Sequence, residues 1–199
     1  MPDKKAEQFN MMVFGVGGQG LITLLQIISE AALLEGYDIK TSELHGLSQR
    51  GGSVEVHIRF GRKIYSPLVS RGKADLVLSL EMQESLRGAY FAGSQTKFLV
   101  NKFVMPIPLT SPLSEKEILG NLRKISKDVS LVPAADICKK ELETSVVSGI
   151  FLLSLSVNRK IIPLKTGSVL RAIKKIIPVK YLELNLKAFK LASNSQVVK

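Results

Sequence analysis

A glycine-rich motif near the N-terminus is the first feature of this chain that could do chemistry. Gly15-Val16-Gly17-Gly18-Gln19-Gly20 satisfies the pattern G-x-G-x-x-G, and it follows an apolar run over residues 9–14. Small residues allow a tight turn between a strand and a helix, and the unpaired amides at the start of that helix favour an anion. The motif therefore predicts a site for a phosphate or carboxylate group.

An acidic residue further along keeps a dinucleotide site open as an alternative. In dinucleotide-binding folds, a carboxylate at the end of the second strand holds the ribose, about 20 residues after the motif. Glu43 lies 23 residues after Gly20. The sequence therefore also fits a freestanding NAD-binding oxidoreductase, in which Gly15, Gly17, Gly20 and Glu43 would hold the cofactor.

A second loop with small and polar residues follows Glu43 and runs from Leu44 to Ser53. Its two adjacent glycines let the backbone approach a ligand or another subunit closely. Arg50 offers a planar fork for a carboxylate or phosphate, and His45 offers a titratable donor or acceptor. The alternative is a tight crossover in which Arg50 pairs with Glu43 and His45 caps a carbonyl.

Strands and helices alternate along the part of the chain that must position these loops. The hydrophobic pattern predicts strands at 9–14, 37–44, 53–60, 74–80, 98–100 and 129–132. It predicts helices at 19–35, 81–90, 114–127, 133–157, 167–177 and 180–192. With a hairpin-like turn at 60–63 that leads into residues 64–67, this order indicates a three-layer α/β/α fold with a mixed, mostly parallel sheet. We expect an α/β domain over 1–157 and a basic helical C-terminal extension over 158–199, packed on that domain.

Several other polar residues have structural interpretations. The strand at 53–60 alternates apolar and polar residues, so its polar side, with His57, is expected to face solvent or a partner. Glu81 and Glu84 have helical spacing near a helix start and are interpreted as complements of the helix dipole. Asp75 is interpreted as structural, and Cys138 as an ordinary helix residue.

The composition restricts the class of protein. With 199 residues and 45% hydrophobic content, the chain can bury one substantial core. Its apolar stretches are too short to cross a bilayer, and its first residues do not resemble a signal peptide, so we expect a cytoplasmic protein without membrane contacts. A single cysteine cannot hold an iron–sulfur cluster or a typical zinc site. Any redox metal must therefore belong to a partner.

The formal net charge of +11 is concentrated in the tail. Residues 1–157 carry 18 basic and 16 acidic side chains, whereas residues 158–199 carry 10 and 1. The tail lacks interleaved aromatic residues and a groove-reading motif, so we expect a protein partner and no nucleic acid. A basic, non-enzymatic docking module remains a second alternative.

Both loops resemble one known family. Gly-x-Gly-Gly-Gln-Gly followed by Glu-Leu-His-Gly-x-x-Gln-Arg-Gly-Gly-Ser-Val is similar to the beta subunits of indolepyruvate ferredoxin oxidoreductases, which have a pyruvate/ketoisovalerate oxidoreductase gamma-type domain. The resemblance continues through Ser66-Pro67, Ala74-Asp75, Glu81-x-x-Glu84 and residues 185–189. Two departures are Thr144-Ser145, where asparagine is frequent, and Ala192, where glycine is common.

The resemblance implies a subunit that binds no cofactor alone and is inactive alone. Its complex would decarboxylate an arylpyruvate oxidatively to an acyl-coenzyme A and pass electrons to ferredoxin. Thiamine diphosphate, Mg and 4Fe-4S clusters would lie on a large alpha subunit. We expect a cleft against that subunit, holding coenzyme A phosphates or the substrate carboxylate, with His45 and Arg50 as candidate catalytic residues. Its other expected residues are Gly15, Gly17, Gly18, Gln19, Gly20, Glu43, Gln49, Gly51, Gly52 and Ser53.

Overall fold

A computed structural model describes residues 7–46, 51–106 and 111–194 of the chain. The strands are β1 (Gln8–Val16), β2 (Asp38–His45), β3 (Ser53–Gly61), β4 (Ala74–Ser79), β5 (Ala92–Asn101) and β6 (Val129–Val132). The α-helices are α1 (Leu21–Leu34), α2 (Glu115–Arg123), α3 (Ala134–Leu142), α4 (Ser148–Asn158), α5 (Thr166–Ile176) and α6 (Val179–Asn194). A 3₁₀ helix spans Glu84–Tyr90.

The strands form one mixed sheet in the order β2-β3-β1-β4-β5-β6. Strands β1, β4, β5 and β6 run parallel, and β3 lies antiparallel between β1 and β2. This confirms the mixed, mostly parallel sheet. Its antiparallel part does not come from the turn at 60–63, however, because residues 64–67 form no strand. It comes from β3, which pairs with both of its neighbours.

Helices cover both faces of the sheet, as the three-layer prediction requires. Met11 and Val13 of β1 point into a core shared with α1, α4, α5 and α6, and Met12 and Phe14 point into a second core with α2. This alternation follows from the strand period of two residues. The two cores are the physical reason why the central strands are apolar on both sides.

The basic tail contributes to the first of these cores. Val169 and Ile173 of α5 and Phe189 of α6 are buried in the cluster that contains the inner face of α1. Lys175 of α5 also pairs with Glu30 of α1, with 2.8 Å between Nζ and Oε1. The apolar side of the tail therefore packs on the α/β part, and its lysines lie on the outer side.

The helix predicted over 133–157 is wrong as one element. It divides into α3 and α4, because Glu143 adopts a left-handed backbone conformation with φ of 60° and ends α3. The Thr144 hydroxyl then accepts the Val146 amide at 3.3 Å, and the Ser145 carbonyl accepts the Ser148 amide at 3.0 Å. Short polar side chains that bond the local backbone compete with helix in this way.

The helix predicted over 81–90 is a 3₁₀ helix that begins at Glu84. Gly88 lies against Val77 of β4, and a Cβ at Gly88 would come within 2.5 Å of the Val77 side chain. The predicted start of the helix over 114–127 is confirmed. Ser114 and Glu117 form the expected capping box, and α2 begins at Glu115.

The polar side of β3 is covered, so its predicted exposure is wrong. Glu55 and His57 are buried, with 8% and 6% of their surfaces exposed. His57 Nδ1 accepts the Val69 amide at 3.0 Å, which leaves Nε2 to donate to Glu55 at 3.1 Å. Arg87 of the 3₁₀ helix pairs with the second Glu55 oxygen at 3.3 Å. The loop before β4 and the 3₁₀ helix supply the partners that make this burial tolerable.

Candidate functional site

The carboxyl ends of β1 and β4 form the point where the chain leaves the sheet in opposite directions. After β1 the chain crosses to α1 on one face, and after β4 it enters the 3₁₀ helix on the other face. Adjacent parallel strands that diverge in this way leave a crevice between them, where α/β folds bind ligands. The glycine motif occupies this crevice.

The glycine motif folds as a tight turn held by Gln19. Gly18 and Gly20 have φ values of 98° and 77°, a region that strongly favours glycine. The Gln19 side chain turns inward, where Oε1 accepts the Val16 amide at 2.9 Å and Nε2 donates to the Leu80 carbonyl at 3.2 Å. Its Oε1 would lie 2.7 Å from a Cβ at Gly15. Gly15 and Gln19 are thus packing partners that shape the turn.

The second loop pairs with this turn through the backbone. The Gly17 amide donates to the Gly52 carbonyl at 2.8 Å, and the Gly51 amide donates to the Gly17 carbonyl at 3.2 Å. Both backbone groups of Gly17 are therefore in use. Among the described residues, the amides of Gly18 and Gly20 have no hydrogen-bond partner. These two amides, with the first amides of α1, remain available for an anion.

A cleft of about 440 Å³ opens on one side of the turn. His45 lies at the end of β2 and pairs in register with Val54, which in turn pairs with Gly15. This places His45 across the cleft from the turn, as a solvent-exposed side chain. The cleft is lined by Gly17, Gly18, Gly20, Leu21, Ile22, His45 and Val54.

A smaller cleft of about 220 Å³ lies on the other side of the turn. Asn101, at the end of β5, donates to the Leu80 carbonyl at 3.1 Å and accepts the Ala135 amide at 3.2 Å. It fixes the floor of this cleft, and a polar residue ending an apolar strand is the signal that could have identified it. The cleft is lined by Gly17, Gly18, Gln19, Asn101, Phe103, Met105, Ala135, Ser145, Val146 and Ser148.

Of the other residues predicted for the site, some lie near the glycine turn and others do not. Ser53 lies at the start of β3, where its hydroxyl donates to Glu84 at 2.7 Å. Glu43 is exposed on β2 and lines neither cleft. Gln49 and Arg50 lie outside the described residues. The structure thus brings together the glycine turn, His45, Gly51 and Gly52, and it leaves Glu43 apart.

The sheet order argues against the dinucleotide site. In that fold the second strand lies beside the first in parallel, so that its terminal carboxylate reaches the ribose. Here β3 separates β1 from β2, which moves Glu43 one strand further away. One added strand spacing is about 5 Å. Glu43 is therefore misplaced for the role that the alternative required.

The chain offers no set of ligands for a metal cofactor within the described ranges. No three His, Cys, Asp or Glu side chains come together there in an arrangement that could hold a metal ion. Cys138 is buried in α3, as predicted for an ordinary helix residue, and burial raises the pKa of its thiol to about 11. A thiol with a raised pKa carries little thiolate at neutral pH and is therefore a poor nucleophile.

Comparison with known proteins identifies the family. Residues 10–195 match the family described as pyruvate ferredoxin/flavodoxin oxidoreductase. The chain belongs to this family. It is 36% identical to the indolepyruvate oxidoreductase subunit IorB of Archaeoglobus fulgidus, over 96% of each chain. It is 31% identical to the subunit of the same name from Thermococcus kodakarensis, over 93% of this chain and 94% of the relative.

Two solved structures share the fold. The gamma subunit of the keto/oxoacid ferredoxin oxidoreductase of Geobacter sulfurreducens aligns with 93% of this chain and 96% of its own, at a TM-score of 0.68 and 22% identity. The 2-oxoglutarate:ferredoxin oxidoreductase of Magnetococcus marinus, solved with 2-oxoglutarate, coenzyme A and succinyl-CoA bound, aligns with 97% of this chain at a TM-score of 0.69 and 18% identity. The aligned part is 32% of that longer chain.

A helix that crosses a bilayer needs about 20 mostly apolar residues. In the portion of the chain that the structure describes, no helix combines the length and the apolar character that a bilayer crossing requires.

Proposed function

We propose that this chain is the cofactor-free subunit of an indolepyruvate or arylpyruvate:ferredoxin oxidoreductase. The proposal is supported by the family, and by relatives of 36% and 31% identity whose names state indolepyruvate oxidoreductase. The complex would convert the 2-oxoacid to an acyl-coenzyme A, release carbon dioxide and pass electrons to ferredoxin. This chain would contribute a binding surface to the shared active site and no redox centre.

The site proposed for that contribution is the glycine turn. The amides of Gly18 and Gly20, which have no hydrogen-bond partner among the described residues and lie at the switch point of the sheet, are the single observation that supports the assignment. They would bind an anionic group, either a phosphate of coenzyme A or the carboxylate of the 2-oxoacid. Arg50 would add a permanent positive charge, and His45, across the cleft, would add a hydrogen bond.

The partner proposed is a large alpha subunit that carries thiamine diphosphate, Mg and 4Fe-4S clusters. Thiamine diphosphate would supply the decarboxylation chemistry, and the clusters would supply the path of the electrons to ferredoxin. This division of labour fits a chain that has one cysteine, buried in α3 with a raised thiol pKa. The open cleft of about 440 Å³ beside the glycine turn would face that subunit.

Affinity purification of the tagged chain from its native cell extract tests the proposal. The expected result is a brown complex with a large thiamine-binding subunit, which reduces viologen when indolepyruvate and coenzyme A are both present. A colourless, uncomplexed chain that binds NAD in a titration would contradict the proposal and would favour the freestanding dehydrogenase. Phenylpyruvate and 2-oxoisovalerate, assayed in parallel, would separate an arylpyruvate enzyme from one for branched 2-oxoacids.

A further inference from the structure

Two carboxylates that the proposed reaction does not use directly hold the loops on either side of the glycine turn. Glu84 Oε1 accepts the Ser53 hydroxyl at 2.7 Å. Glu81 accepts the Met105 amide at 3.1 Å through one oxygen and the Glu84 amide at 2.8 Å through the other. The pair therefore joins the start of β3 and the segment after β5 to the same short helix.

Both loops contact the anion site itself. Ser53 follows Gly52, whose carbonyl accepts the Gly17 amide at 2.8 Å, and Ser53 pairs in register with Val16. Met105 lines the smaller cleft together with Gly17 and Gly18, and its sulfur lies about 4.0 Å from the Cβ position of Gly51. The position of the glycine turn is thus linked through Ser53 to Glu84. The wall of the smaller cleft that lies opposite the turn is linked through Met105 to Glu81.

Burying the Glu81 and Glu84 carboxyl groups costs desolvation free energy, and the stability of the fold alone does not require it. Glu81 is only 2% exposed, and the side chain of Glu84 is 15% exposed. Arg87 forms an ion pair with Glu84, with 3.5 Å between its Nε and Glu84 Oε2. Well-packed apolar side chains usually stabilise such positions as well as buried charges do, or better. What an apolar residue would not supply is a directional acceptor for the Ser53 hydroxyl and the Met105 amide.

We propose that Glu84, acting through Ser53, is a positioning residue that sets the glycine turn for its anionic ligand. Glu81 does the same for the opposite wall through the Met105 amide. The inference rests on the proposed function, because it assumes that the turn binds an anion of the reaction. Neither carboxylate contacts that ligand. Each acts on the backbone that does.

The test uses the assembled complex and measures kcat and KM for coenzyme A and for indolepyruvate separately. Ser53→Ala removes the hydroxyl, and we expect KM for one of the two anions to rise about three- to tenfold, the worth of a hydrogen bond, with kcat nearly unchanged. Ser53→Thr restores a hydroxyl and should restore KM. Ser126→Ala is the matched control, because this buried hydroxyl donates to the Thr96 carbonyl at 2.6 Å and lines neither cleft.

A double-mutant cycle shows whether Glu84 acts through Ser53. Glu84→Ala should raise the same KM at least as much as Ser53→Ala does, and the double variant should equal Glu84→Ala alone. Additive effects, an unchanged KM in Ser53→Ala, or an equal KM change in Ser126→Ala would overturn the inference. The proposed function itself would instead be overturned if the other subunits had the same coenzyme A-dependent activity without this chain as the complete complex has.

Discussion

The side-chain amide of Gln19 donates to the carbonyl of Leu80 at 3.2 Å and thereby joins the glycine turn to the end of β4. The other end of the same side chain accepts the Val16 amide at 2.9 Å. One residue of the motif therefore closes the turn and attaches it to the neighbouring parallel strand. Its role lies in the shape of the turn, and its hydrogen bonds do not use the amides of Gly18 and Gly20.

Replacement of Gln19 tests this structural role. Gln19→Ala leaves the part-buried Val16 amide and Leu80 carbonyl without these partners, and we expect the free energy of unfolding to fall by about 1–3 kcal/mol. Urea denaturation of the isolated chain measures the change. Gln26→Ala, on the exposed side of α1, is the matched control and should stay within about 0.5 kcal/mol of wild type. Equal stability of the two variants would contradict the role given to Gln19.

Replacement of Arg50 tests whether this side chain supplies the positive charge proposed for the anion site. If its guanidinium binds a phosphate or carboxylate, Arg50→Ala should weaken that ligand by about 1.5–3 kcal/mol, or roughly ten- to 150-fold in KM. Steady-state kinetics of the assembled complex, with coenzyme A and the 2-oxoacid varied in turn, identify the anion. Arg62→Ala changes the charge equally at the opposite end of β3. Michaelis constants that are unchanged in Arg50→Ala would refute its role.

The buried carboxyl of Glu81 predicts a pH dependence of stability. Desolvation, with a further contribution from the neighbouring Glu84 charge, raises the pKa of Glu81 above its ordinary value of 4.5 despite the amides that it accepts. A carboxyl whose pKa is higher in the folded state stabilises the fold below the unfolded pKa, and this contribution is lost as pH rises through the folded pKa.

Glu81→Gln removes this titration. The unfolding free energy of wild type relative to the variant should therefore increase as pH falls from 7 toward 4.5, the ordinary pKa of a glutamate carboxyl. Urea denaturation at several pH values measures the difference. Glu141→Gln, on the exposed side of α3, is the matched control, because it removes one negative charge and leaves Glu81 and Glu84 unchanged. A difference between wild type and Glu81→Gln that does not vary with pH would contradict the burial argument.

Cys138 should react slowly with thiol reagents while the chain is folded. Its side chain is fully buried, and its pKa of about 11 leaves on the order of one thiolate in a thousand at pH 8. Ellman's reagent should label the unfolded chain in urea at the ordinary thiol rate and the native chain at least about a hundredfold more slowly. Rapid stoichiometric labelling of the native chain would show that α3 is not packed as described.

The glycine turn could be predicted from the sequence because its signals are local. An apolar strand, small residues that permit positive φ and a long helix without Pro or Gly all occur within one short stretch around Gly15–Gly20. The capping box at Ser114 and Glu117 was predictable for the same reason, since both partners lie within one turn. In each case the residues that determine the conformation are close together in the sequence.

The polar side of β3 could not be predicted in the same way. Alternation of Glu55 and His57 with apolar residues normally indicates an exposed face, but here Arg87 and the Val69 amide come from distant segments and pair with them. The inward turn of Gln19 depends on Leu80, 61 positions away. Such tertiary partners leave no local signal, and they decide which polar residues are buried.

The proposed role of this chain is tested most directly by viologen reduction with the proposed large alpha subunit, purified and assayed with and without this chain. The substrates are indolepyruvate and coenzyme A. We expect the coenzyme A-dependent rate to rise as the chain is added and to saturate at a fixed subunit ratio. A large subunit that reduces viologen equally fast in its absence would contradict the claim that this chain completes the active site.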